Sequence, residues 1–191
     1  MNKPVLLVAV VLALALDGGF IHAIRFSSTT PDLPMVLMVF LALHAPRAVV
    51  PWLGWGLGLL VDLTRPWDHG GPWGPGPIVG PHALGWCFAA YLVMLVRAML
   101  YRRQVHTVAV MTLVFAVAAN LVVVFVIGVH GFYEPDPIQW PAGGAIDELL
   151  ARLGRGVYSG LIALVLGPLL QLTLPAWRFR QPMPRAGLRR A

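Results

Sequence analysis

Between positions 105 and 129 the chain carries no Asp, Glu, Lys or Arg. A helix over that stretch rises by about 1.5 Å per residue and passes the roughly 30 Å hydrocarbon core of a bilayer. Further apolar runs lie on both sides of it. Hydrophobic residues make up 58% of the 191 residues and charged ones only 12%, against roughly 25% charged in a soluble domain. A soluble chain of this size cannot hide so much apolar surface. The runs are continuous rather than alternating, which excludes an outer-membrane barrel. The expected fold class is an all-α integral membrane protein with a single polytopic domain over residues 1–191.

Six apolar segments divide the chain, at about 4–24, 33–45, 49–63, 82–101, 105–129 and 157–175. The first has no clear small-x-small cleavage motif after it and is read as a span rather than a signal peptide. The second and third are short for a crossing. They could form one broken helix, but charge favours six crossings. Six crossings place Lys3, Arg47, Arg102, Arg103 and the arginines of the basic tail, 176–191, on one side. The acids fall on the other side or toward it. Arginine and lysine gather on the cytoplasmic side, so both termini are expected in the cytoplasm. The net charge of +6 then belongs to membrane orientation and not to nucleic-acid binding.

Two outer loops stand out. Residues 65–81 are too rich in Gly and Pro for regular structure. Residues 130–156 contain Ile146, Leu149, Leu150 and Leu153 at helical spacing, with Asp147, Glu148 and Arg152 on the other face. This pattern predicts a short amphipathic helix on the outer leaflet, leading into the sixth span.

Few residues offer chemistry. Asp62 ends the run "WGLGLLVDL". It either marks the outer end of a span or holds the following loop, by hydrogen bonds or through Arg65. If hydrogen bonds hold the loop, Asp62→Asn is expected to be nearly silent and Asp62→Leu damaging. Gly54 and Gly58, and Gly156 and Gly160, form small-xxx-small pairs that permit close helix approach, within the bundle or with a partner. Asn120 in the fifth span needs a hydrogen-bond partner in lipid. The six histidines show no metal-ligand spacing, and there is no nucleophile elbow, phosphate loop or close carboxylate pair. No catalytic, cofactor or metal residue is assigned, and an enzyme is not expected.

A family pattern is carried by three segments. Pro31-Asp32-Leu33 opens an apolar helix. Gly54, Gly58, Leu59 and Asp62 form a Gly-x-x-x-Gly-Leu-x-x-Asp run. Gly80, Ala83 and Leu84 open the next helix. In these residues the chain resembles the MreD family of rod-shape-determining membrane proteins, over about residues 31–97. The resemblance implies a non-enzymatic scaffold in the cell-elongation and peptidoglycan-synthesis machinery of the bacterial inner membrane. Its implied partners are an MreC-like membrane protein and, beside it, a RodA-like glycosyltransferase, a penicillin-binding transpeptidase and the MreB filament. It also implies a fold like the substrate-binding subunits of energy-coupling-factor vitamin transporters. That shared fold leaves such a transporter subunit as the alternative function.

Overall fold

The computed structural model describes residues 2–20, 29–65, 79–97, 99, 105–133, 140 and 143–179. Among them the secondary structure is helical. Helix α1 spans Lys3–Ala15 and runs into a π-helical turn, Leu16–Phe20. There follow α2 (Leu33–His44), α3 (Val50–Thr64), α4 (Pro81–Val96), α5 (Val105–His130), α6 (Ala145–Leu172) and the short α7 (Leu174–Trp177). Two segments, His106–His130 and Ala145–Leu172, are long and apolar enough to cross a membrane. Helices α2, α3 and α4 are shorter and also apolar.

Helix α2 is the axis of the bundle. Every residue from Pro34 to Leu43 is buried, as expected for a helix that is hydrophobic all round. It touches α1, α3, α4, α5 and α6. Both of its ends are capped by charge of the sign that suits the helix dipole. At its start Asp32 accepts from the Met35 N–H at 3.1 Å. At its end Arg97 Nη1 donates to the Ala42 and Ala45 carbonyls, at 2.9 and 2.7 Å.

The helices around it pack through small residues. A side-chain carbon at Gly54 would lie 2.7 Å from the Trp86 carbonyl oxygen, and one at Gly58 would overlap the His82 carbonyl and Ala83. Gly85 sits against Ala119 of α5, and Gly156 against Ala116. The four glycines singled out from the sequence therefore lie inside the bundle. Gly54 and Gly58 bring α3 onto α4, while Gly156 and Gly160 bring α6 onto α5. A partner helix has no room on those faces.

Three boundaries differ from the sequence reading. The first span closes its α-helix at Ala15, and residues 21–28 lie outside the described set. Helix α4 ends at Val96 because Arg97 turns inward to cap α2. The amphipathic segment after residue 144 is not a separate surface helix. It is the first three turns of α6, continuous to Leu172. Its orientation is also reversed: Glu148 and Arg152 are buried, whereas Ile146 and Leu150 are exposed. Glu148, Arg152, Gly156, Ser159, Gly160, Ala163 and Gly167 form a single inward stripe.

Candidate functional site

Polar side chains converge at the end of the bundle where α1, α3 and α5 finish and α2, α4 and α6 begin. Asp62, in the last turn of α3, is wholly buried. A buried carboxylate survives only when its oxygens are satisfied. The first turn of α4 supplies the donors. Oδ1 accepts from the His82 N–H at 3.1 Å and from His82 Nδ1 at 2.7 Å. Oδ2 accepts from the N–H groups of Gly80 at 2.9 Å and Ala83 at 3.1 Å. A helix leaves its first N–H groups without intrahelical partners. Asp62 satisfies those of α4 from the preceding helix, across the whole glycine- and proline-rich loop. Gly80 adopts φ 128°, a left-handed value open to glycine. There the chain turns its N–H toward the carboxylate.

His82 links this anchor to α6. Arg152 Nη1 lies 3.3 Å from His82 Nε2. Arginine only donates, so Nε2 accepts and the ring proton sits on Nδ1, facing Asp62. Arg152 Nε in turn bonds Glu148 Oε1 at 2.6 Å, one turn away on the same helix. The chain Asp62–His82–Arg152–Glu148 thus crosses from α3 through α4 to α6. Asn120 of α5 is also buried, one turn from Ala116, on which Gly156 packs.

A second polar group completes this end. Arg65, just past α3, bonds Asp17 Oδ2 at 2.6 Å and Asp32 Oδ2 at 2.8 Å. The Asp32 N–H donates to Ser159 Oγ at 2.8 Å, and Ser159 donates to the Arg155 carbonyl. Arg65 therefore joins the π-turn after α1 to the start of α2, and it does not hold Asp62. Burial pushes the Asp32 carboxyl up, but the Arg65 guanidinium, the Met35 N–H and the charge of Arg155 together outweigh it and hold the group below the usual carboxylate range.

Sequence reasoning singled out Asp62 and Asn120 and treated Glu148 and Arg152 as a solvated face. The signal for the inward face was present: the charged pair continues the line of Gly156, Gly160 and Ala163 at helical spacing. The Asp62 carboxylate can accept about four hydrogen bonds and receives four. That leaves no lone pair for a substrate proton, so the arrangement suits an anchor rather than a general base.

Elsewhere, a cleft of about 540 Å³ opens between α1 and α6, floored by α2. Thr173 is the one polar side chain among those lining it. No protein-family model, curated protein or solved structure matches the chain.

Proposed function

We propose that this chain is a non-enzymatic scaffold of the cell-elongation machinery, of the MreD type, that binds an MreC-like membrane protein. The observation that carries the reading is the α3–α4 hairpin. Five of the ten residues behind the resemblance, Gly54, Gly58, Asp62, Gly80 and Ala83, are one physical unit. Two glycines close the helices, and the aspartate caps the second helix from the first. A degenerate sequence pattern whose members touch one another is a stronger basis for kinship than the same letters scattered through a fold.

In this reading α1 to α6 cross the inner membrane six times, with both termini in the cytoplasm and the polar end of the bundle outside. The alternation of helix ends supports it. Asn2 N–H bonds the Trp177 carbonyl at 3.0 Å, so the start of α1 and the end of α7 share one end. Arg97 lies at that same end, where α2 finishes. The transporter-subunit fold implied by the resemblance belongs to the same proposal. The scaffold reading is preferred over vitamin binding because the polar groups at the outer end are bonded to one another, while the large cleft is apolar.

The test is co-purification in mild detergent with the MreC-like protein of the same cell, together with depletion in a rod-shaped host. Retention of the partner and rounding of depleted cells are expected. Normal shape with no partner retained, and a vitamin carried through purification, would replace this reading with the transporter subunit.

A further inference from the structure

We infer that the cleft between α1 and α6 is a binding site for one acyl chain of an anionic phospholipid, with its headgroup held by Lys3 and Arg178.

The shape suits an extended chain. The walls run from Pro4 to Leu16 on one side and from Leu166 to Trp177 on the other. Twelve steps along α1 at about 1.5 Å give a length of about 18 Å. One leaflet of hydrocarbon is about 15 Å deep, so the cleft matches a single leaflet. Its volume is about 540 Å³, and its walls are apolar along that length. An extended hydrocarbon chain fits such a groove, and a second copy of α1 is the competing occupant that the dimer outcome below tests.

Helix α1 itself calls for an occupant. None of its residues is buried. Only Val5, Leu6, Ala9, Val10 and Ala13 lean on the core. Three of them, Val5, Ala9 and Ala13, line the cleft, and the two alanines leave room in it.

Charge selects the headgroup. At the basic end Asn2 is tied to Ala176 and Trp177 by hydrogen bonds of 3.3 and 3.0 Å. The next residue in each segment is a cation, Lys3 and Arg178, and both are exposed. Their neighbours in the chain, Pro4 and Trp177, line the cleft, so its end lies one residue from two positive charges. Each basic residue near a membrane surface favours anionic lipid by roughly fivefold. Lipid tails gain little from leaving other tails, so the cations supply the selectivity and the cleft supplies the position. The site does not depend on which way the protein faces. Its assignment to the cytoplasmic leaflet rests on the orientation proposed above.

The experiment uses the full-length protein in phosphatidylcholine nanodiscs doped with phosphatidylglycerol that carries a photoactivatable acyl chain. Labelling is expected on the peptides containing Pro4–Leu16 and Leu166–Trp177, and competition by unlabelled phosphatidylglycerol should exceed that by phosphatidylcholine by an order of magnitude. Ala13→Phe should abolish the label by filling the cleft. Lys3→Gln with Arg178→Gln, both on the exposed rim, should leave the fold intact and lower the anionic preference roughly 25-fold. Label spread evenly over the apolar perimeter, or an anionic preference unchanged by the double charge variant, overturns the inference. So does a concentration-dependent dimer that Ala13→Phe disperses. An orientation test that places the termini outside would reassign the leaflet and leave the site standing.

Discussion

His82 Nδ1 lies 2.7 Å from Asp62 Oδ1, and the same carboxylate collects three N–H groups from the first turn of α4. Two helices separated in sequence by a long loop are thereby fastened at a single side chain. The energetic weight of that fastening follows from how the donors are shared. Each oxygen takes two.

This sharing changes the expected behaviour of Asp62→Asn. The sequence alone suggests that an amide keeps the loop in place. The structure places donors on both oxygens, so one of them would face an NH2 group that cannot accept. Asp62→Asn should therefore destabilise the protein by about 1–3 kcal/mol, and Asp62→Leu by more, since it leaves every one of these donors unpaired. Unfolding by SDS titration measures both. Wild-type stability in the Asp62→Asn variant would show that the anchor is dispensable.

Arg65→Gln should cost about 1–3 kcal/mol, because it leaves Asp17 and Asp32 buried together without their shared cation. Its pH dependence has a definite sign. Asp32 has a lowered folded-state pKa, so its stabilisation is complete above the unfolded value of about 3.9 and fades as the pH falls through the folded one. In Arg65→Gln the buried carboxyls lose the cation that opposes desolvation, so their pKa rises and they take up protons at higher pH than in wild type. The stability gap should be full near about pH 8 and narrow as the pH falls through the raised carboxyl pKa of the variant. A gap that does not narrow on acidification would show that Arg65 acts by packing rather than by charge.

The glycines should separate cleanly by position. Gly58→Ala drives a methyl into the His82 carbonyl and should cost about 1–3 kcal/mol by overpacking. Gly56→Ala, two residues away, meets nothing within 4 Å and should gain up to about 1 kcal/mol from helix propensity. Comparison of the two melting temperatures in one detergent decides the matter. Equal effects would mean that α3 and α4 do not touch through Gly58.

Orientation has its own test. An alkaline phosphatase fused after residue 191 should be inactive and a fluorescent protein there bright. Phosphatase inserted in the loop between α3 and α4 should be active. Active phosphatase at the C-terminus would overturn the six-crossing proposal.

Helices α2, α3 and α5 were legible from the sequence to within two residues, because each is an apolar run bounded by Pro, Arg or His. The start of α6 was not. Gly154 and Gly156 look like a break in an isolated helix, and an amphipathic segment beside a membrane suggests a helix lying flat. In the bundle, Gly156 is instead a contact that α6 needs against Ala116. Burial of Glu148 and Arg152 escaped the same reading, which assigned charge to water. The pair instead satisfies itself inside the bundle, where Arg152 bonds Glu148 and reaches His82. The site was half visible: Asp62 announced itself as a carboxylate in an apolar run. Its donors lie about twenty residues further on, and the partners of Arg65 lie in the turn after α1 and at the cap of α2. Spacing along a chain carries no record of such contacts.

The enclosure of α2 sets the order in which the protein can be made. Its first backbone amide partner, Ser159, is synthesised 127 residues after Asp32. A nascent chain interrupted before α6 already contains the whole of α2. Its N-terminal amide then lacks that hydroxyl, and one flank lacks its cover. The second helix to leave the ribosome is thus among the last to be finished. Every chain truncated before α6 would therefore present its central helix without its cover.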